Sequence, residues 1–318
     1  MLLALFLTLA EPQARPCTAD DIAELTRPDT SPYVLSCQAS LGANHSITRP
    51  IVIEGRQASG TILDCHNATI GTPDVAVTAS NPTIAIRSTK DADSHWSAPT
   101  NIIIRNCNIF GAIRIWGMGA DGSYDDLRAS SRLPNHTQNA QDAAPSHIRL
   151  DNLRLVANGT IPVYVGPGAT YVTLDRSMLT GRSAATAIYL DAESAHNAIT
   201  NNYILVRGSR EAIAIDGSAH NLVKSNRIDM NGKPGILLYR NCGERGVVRH
   251  QTPSHNLIAD NVFTGGPLFN RRLVVENARN GGRSYCRDDA GYPFGSSVDD
   301  RDGGTDNAIS NNRHRKWQ

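Results

Sequence analysis

The chain has 318 residues, with 31 Lys and Arg against 30 Asp and Glu, for a formal net charge of +1. Near-neutrality excludes the strongly basic character of a general nucleic-acid binder and any wholesale electrostatic attraction to membranes, so charge must act locally. One elongated domain is expected, because a solenoid adds residues by stacking repeats instead of enlarging a single core.

In chain order, Leu2 to Ala10 is a short apolar run, with Thr8 and Ala10 placed as the small residues of a cleavage site, and residues 1–10 read as a signal peptide. The mature protein is then expected to be secreted or periplasmic, monomeric and without an integral membrane segment, since no later stretch has the ~18 uninterrupted apolar residues of a span. Residues 11–49 read as an N-terminal cap. Thr18 and Asp20 can start a short helix over Ala19 to Leu25 that covers the open edge of the first coil.

Six cysteines, an even set, fit disulfides in an oxidising compartment. Pairing Cys17 with Cys37 and Cys242 with Cys286 would tie down irregular segments, whereas Cys65 and Cys107 sit in similar strand contexts and can stack as small buried hydrophobes. No CxxC or Cys/His cluster points to zinc.

From residue 50 onward the chain repeats. Asn, two apolar residues, two more residues and Asn recur as Asn197-Ala-Ile-Thr-Asn-Asn202, Asn221-Leu-Val-Lys-Ser-Asn226, Asn256-Leu-Ile-Ala-Asp-Asn261 and Asn307-Ala-Ile-Ser-Asn-Asn312. Weaker copies begin at Asn101, His147 and Thr170, and the closest spacings are 23 (His147 to Thr170), 24 (Asn197 to Asn221) and 27 (Thr170 to Asn197). That is the length of three short strands and their turns. Asn suits a turn that needs a left-handed residue, and stacked Asn side chains can bond from coil to coil.

A second element precedes each motif: Ala112-Ile-Arg-Ile-Trp116, Pro162-Val-Tyr-Val-Gly166, Ala187-Ile-Tyr-Leu-Asp191, Ala212-Ile-Ala-Ile-Asp216 and Gly235-Ile-Leu-Leu-Tyr239. Its period-two alternation puts Ile, Leu and Val inside and their neighbours outside. An antiparallel sandwich would not give near-repeats at one rung length. The chain is expected to be all-β: a single-domain right-handed parallel β-helix over 50–318, with the short capping helix and three long insertions at Gly117 to Pro145, Cys242 to Ser254 and Gly265 to Thr305. Helical periodicity is otherwise almost absent.

On these repeats the chain, over about residues 50 to 312, resembles the pectate-lyase-like superfamily of carbohydrate-binding and sugar-hydrolase β-helices. Stacking in register gives one outward column of Arg114, Tyr164, Tyr189, Ala214 and Leu237, and a second of Trp116, Gly166, Asp191, Asp216 and Tyr239, with Glu193 just beyond Asp191. Rings pack on the apolar faces of pyranoses while acids bind hydroxyls or move protons, so the stripe suits a polysaccharide. Asp191 above Asp216 needs a proton, a metal or a basic partner, because like charges on neighbouring strands repel.

Three chemistries fit. In the favoured one, Asp191, Glu193 and Asp216 supply the acid and base of a glycoside hydrolase that needs no cofactor. This is similar to the polygalacturonase-like hydrolases, although their Asn-Thr-Asp, Asp-Asp and Gly-His-Gly motifs are absent here. In the second, the same three carboxylates hold Ca²⁺ for elimination or C5 epimerisation on a uronate, as the resemblance to pectate lyases and mannuronan epimerases implies. In the third, the face only binds glycan. The Tyr239 to His255 stretch carries Tyr239, Arg240, Glu244, Arg245, Arg249 and His250, and its excess of arginine suits an anionic substrate. The substrate-binding candidates are Arg114, Trp116, Tyr164, Tyr189, Tyr239, Arg240, Glu244, Arg245 and His250. Glu276 can continue the acidic column.

Overall fold

In the computed structural model, residues 14–120, 122, 124–266, 272–278, 292 and 303–315 are described. The expected signal segment, Cys286 and most of the Gly265 to Thr305 insertion lie outside them.

The alternating strands wind into three parallel sheets, each of nine strands among the described residues. The first contains Ile113–Trp116, Val163–Val165, Ile188–Leu190, Ile213–Asp216 and Ile236–Tyr239. The second carries the Asn motifs, on strands such as Thr170–Asp175, Ala198–Thr200 and Leu222–Lys224, and the third runs through Arg154–Gly159, Met178–Ser183, Tyr203–Ile204 and Arg227–Asp229. Inward Ile, Leu and Val residues from all three sheets form one continuous core along the axis. This is the expected right-handed parallel β-helix.

The coil starts earlier than expected. Tyr33–Val34, Gln38–Ser40 and Ser46–Ile47 already pair in parallel with the next rung, so the sheets begin inside the stretch assigned to the cap. Two- and three-residue strands carry too little alternation to stand out in sequence. Helix α1, Ala19–Thr26, does cover the edge. Thr18 caps it: Asp21 N–H donates to the Thr18 hydroxyl (3.2 Å), while the Thr18 amide donates to the Asp21 carboxylate (2.7 Å). Two helices were not expected, α2 (Asp125–Ser131) and α3 (His136–Asp142), both in the Gly117 to Pro145 insertion. With seven residues each and no side-chain N-cap bond, they lack both the length and the start signal that sequence reading uses. An antiparallel hairpin, Thr89–Lys90 with Trp96–Ser97, is a further insertion beyond the three expected.

The asparagines do two different jobs. Asn197, Asn221, Asn256 and Asn307 form a ladder in which each side-chain amide donates to the next Oδ1 at 2.8–3.0 Å, and Asn202, Asn226, Asn261 and Asn312 form another at 2.9–3.0 Å. Most of these amides are buried, so the ladder keeps them satisfied where water cannot. The left-handed conformation falls on the preceding residue: His196, Asn201, His220, Ser225, His255, Asp260, Asp306 and Asn311 have φ of 55–59°. In the earlier rungs Asn101, Asn106 and Asn152 are themselves left-handed. They therefore match His196 and Asn201, not the ladder residues. The copy begun at Thr170 is also displaced, because Thr170 pairs with Ala195.

Cys17–Cys37 is a disulfide, as expected. Cys65 and Cys107 are bonded to each other as well, which corrects their reading as stacked thiols. Parallel rungs lie ~4.8 Å apart, so cysteines at matching positions come within disulfide reach. Cys242 is disulfide-bonded, and its expected partner Cys286 lies outside the described residues.

Candidate active-site cleft

The first sheet carries the expected columns. Arg114 pairs with Tyr164, Tyr164 with Tyr189, Tyr189 with Ala214 and Ala214 with Leu237, while Asp216 pairs with Tyr239. Loops from distant parts of the chain then decide which of these residues stay accessible. The α2–α3 insertion and the loop after Tyr239 lock together: Val248 N–H donates to the Ser131 hydroxyl (2.9 Å), His250 Nε2 to the Ser131 carbonyl (2.7 Å) and Arg128 Nε to the Arg245 carbonyl (2.7 Å). The 89–97 hairpin buttresses α2 through Lys90 Nζ and Trp96 Nε1, which reach Asp126 at 2.7 and 3.1 Å. Together these walls enclose a cleft of about 470 Å³ whose lining includes Arg87, Arg114, Trp116, Tyr164, Asp191 and Arg249. Its size is that of a small-ligand site.

One tyrosine–carboxylate pair at its floor and a second beneath it are joined by one arginine. Tyr164 donates its hydroxyl to Asp191 Oδ2, and Tyr189 donates to Asp216 Oδ2. The same Arg249 nitrogen lies 3.2 Å from Asp191 Oδ1 and 2.6 Å from Asp216 Oδ2. The basic partner that stacked aspartates require is thus a guanidinium from the loop. Asp216 is fully buried and also accepts from the Asn241 backbone and side-chain amides at 2.7 and 2.6 Å, which fills its acceptor positions. Asp191 keeps an edge on the cleft.

Burial raises the Asp191 carboxyl above its ordinary value; Arg249 opposes this and Asp216 reinforces it. Burial opposes the charge on Arg249, but Asp216 and Asp191 outweigh it and hold that side chain protonated. Tyr164 is raised well above 10 by burial and then by Asp191, so the phenol stays neutral. Arg114 lies 4.0 Å above the Tyr164 ring and 5.0 Å from the Trp116 ring. It is buried, which lowers its pKa against the pull of Tyr164 and Asp191, and its Nε has no hydrogen-bond partner among the described residues.

Glu193 lines the cleft wall but is fully engaged. Its oxygens accept from Thr137 Oγ1, His250 N–H (2.7 Å) and Gln251 N–H (3.2 Å), so it pins both insertions to the sheet. Among the described residues no group of three His, Cys, Asp or Glu side chains is arranged to hold a metal. Asp191, Glu193 and Asp216 therefore do not fit a calcium nest: Arg249 stands between the two aspartates, and Glu193 faces backbone amides.

Of the substrate-binding candidates, Arg114, Trp116 and Tyr164 line the cleft. Tyr189 and Tyr239 do not reach solvent as expected: Asn241 of the loop after Tyr239 lies 3.4 Å from the Tyr189 hydroxyl, and Tyr239 belongs to a buried cluster against which Val275 and Ala278 pack. Tyr239 is fully buried, donates to Glu211 Oε1 (2.9 Å) and accepts from Arg210 (2.7 Å). Arg240 is buried, with Nη1 3.4 Å from the Arg249 carbonyl. Arg245 does not itself line the cleft but stacks at 4.4 Å over Tyr124, which does. His250 braces the loop, and the Glu244 side chain lies outside the described atoms. Glu276 is not in the acidic column; Asn307 Nδ2 donates to it at 2.8 Å. Sequence reading placed Arg249 in the right loop without giving it a role, and missed Asn241, Glu211 and Thr137, whose partners lie 25 to 56 residues away.

Fold and cleft together define a right-handed parallel β-helix with a walled site on one outer face. The chain belongs to the right-handed β-helix family, whose "right handed beta helix region" model matches residues 138–312. No curated protein matches it in sequence. Among solved structures, it is similar to the periplasmic alginate epimerase AlgG, at 12% identity over 89% of this chain and 67% of that one, TM-score 0.38. It is also similar to a C387A mutant of DFA-IIIase from Arthrobacter chlorophenolicus A6 (15% identity, 77% and 62% covered, TM-score 0.28) and to an alginate lyase from Paenibacillus sp. str. FPU-7 (12%, 77% and 98%, TM-score 0.25).

Proposed function

We propose that this protein is an exported enzyme acting on a uronate-containing polysaccharide, and that its reaction is proton transfer at the carbon next to the uronate carboxylate. The observation that carries this reading is Arg114: a buried guanidinium at the cleft floor with no carboxylate within ion-pair distance among the described residues, stacked on Tyr164 and beside Asp191. A sugar carboxylate would supply the missing partner, and pairing it would both hold the substrate and favour loss of the neighbouring proton. Tyr164 and Asp191 share a proton in the same place. Breaking the C5–H bond sends that proton to this pair and the electrons onto the carboxylate, where Arg114 balances the charge. The electrons then return to form the C4=C5 bond as C4–O4 breaks and O4 takes the proton held by the pair, giving an unsaturated end, or C5 takes a proton from water on the opposite face, giving the C5 epimer.

Hydrolysis asks for two free carboxylates, set ~6.5–9.5 Å apart around a water or ~5–5.5 Å apart around the sugar. Asp216 and Glu193 have their oxygens occupied and one Arg249 nitrogen bridges the aspartates, which argues for the uronate chemistry. The disulfides Cys17–Cys37 and Cys65–Cys107 support export to an oxidising compartment.

The test is incubation with polyuronates and neutral glucans, following reducing ends, absorbance of unsaturated products and exchange of the C5 proton with deuterated water. Unsaturation or C5 exchange, lost by ~10²–10⁴-fold in Tyr164→Phe, is expected. Reducing ends without either signal would establish hydrolysis and overturn the proposal.

A further inference from the structure

The outer faces of the second and third sheets treat charge in opposite ways. On the second, the basic residues lie against acids: Arg105 on Asp64 (2.7 Å), Arg176 on Asp151 (2.5 Å) and Asp175 (3.0 Å), Arg149 on Asp151 (3.5 Å) and Lys224 on Asp260 (3.7 Å). On the third, Arg154, Arg182, Arg207, Arg227 and Arg313 point outward, and none has a carboxylate within 4 Å among the described residues. One column of that face runs Arg154, Met178, Tyr203, Arg227, Val262, Arg313, one residue per rung. Four residues along, Arg182 stacks directly on Arg207.

Like charges on adjacent strands repel, and the neighbouring sheet shows how this chain neutralises them when nothing else does. Asp229, an outward carboxylate on this face, accepts from the Asn231 amide at 2.9 Å and pairs with no arginine among the described residues. Between the arginines lie Met178 and Tyr203, each 43% exposed, and the Arg227 guanidinium sits 5.3 Å from the Tyr203 ring. Rungs repeat every ~4.8 Å, so the strip extends for ~24 Å with its charges spaced along the helix axis. Each rung is about as long as one pyranose residue.

We infer that the arginine strip on the outer face of the third sheet is a second polysaccharide-binding surface, separate from the cleft, which holds an anionic glycan along the helix axis. The glycan's carboxylates pair with the arginines, and Met178 and Tyr203 pack against its sugar faces. A polymer engaged there stays tethered while the cleft on the first sheet works on another part of it, so the gain falls on long chains. The choice of a uronate polymer as occupant rests on the reading of the cleft given above; the unpaired charge does not.

The test is affinity electrophoresis of the full chain in gels containing sodium polygalacturonate, with dextran gels and phosphatidylglycerol vesicles as comparisons. Relative to wild type, R154Q/R182Q/R207Q/R227Q is expected to lose at least about tenfold in affinity at low salt, with the difference vanishing near ~0.5 M NaCl, where the screening length drops well below 10 Å. The charge-keeping variant R154K/R182K/R207K/R227K is expected to remain close to wild type. Unchanged retardation of the glutamine variant, equal loss in the lysine variant, or binding of wild type to vesicles but not to polygalacturonate would each overturn the inference. Strip-dependent binding with no turnover on any uronate would leave it standing while refuting the reading of the cleft.

Discussion

Replacing Arg249 with Met tests the centre of the site. The substitution removes the cation that bridges Asp191 and Asp216 while keeping much of the volume, and it leaves two carboxylates facing each other in a buried setting. Breaking a buried ion pair by deleting one partner costs about 3–5 kcal/mol, because the remaining charge is uncompensated. The cost must depend on pH. Asp191 is already raised in the native protein, and loss of Arg249 raises it further. A carboxyl raised in the folded state binds more protons folded than unfolded, so stability falls as pH rises from its unfolded value through its folded value. The destabilisation of Arg249→Met relative to wild type should therefore be larger at high pH, where Asp191 is charged, and shrink as pH falls and a proton replaces the guanidinium. Denaturant midpoints for both proteins at pH 4.5, 6 and 8 measure this. A loss below about 1 kcal/mol that is the same at all three would refute the assignment of Arg249 as the compensating charge.

Two further outcomes concern the coil itself. Asn226 donates to Asn261 Oδ1 and to the Ile199 carbonyl, and accepts from the Asn202 backbone and side-chain amides, all at 2.7–3.0 Å. Asn226→Ala orphans these buried groups at roughly 1–3 kcal/mol each, so calorimetry should show a loss of at least about 3 kcal/mol, whereas Asn311→Ala, on an exposed turn, should lose much less. Cys65→Ala/Cys107→Ala opens a bridge spanning 42 residues, for which the chain-entropy estimate is about 4 kcal/mol; a melting profile indistinguishable from wild type would show that rung stacking alone fixes that end of the coil.

The proportions of what was legible follow from range of interaction. Alternation and a repeat of about 24 residues are local and periodic, so they specified the coil, its inward residues and the register that stacks Tyr164 on Tyr189 and Asp191 near Asp216. The helix-capping signal at Thr18 is equally local. The two-residue strands at Tyr33 and Ser46 and the seven-residue helices α2 and α3 escaped because each spans no more than about two periods, too few for an alternation to show. Most of the misplaced site residues share one cause: a loop folds back on the sheet. That loop sets Asn241 against Tyr189 and brings Arg249 between the aspartates, while Glu193 turns its carboxylate to the backbone of His250 and Gln251; Tyr239 is instead held inside by Arg210 and Glu211. The sequence by itself determined a parallel coil with an acidic and aromatic outer stripe, since both follow from a period. Only the tertiary structure decided which members of that stripe face solvent and which neutralise one another, because that depends on contacts between segments whose separation in the chain follows no repeat.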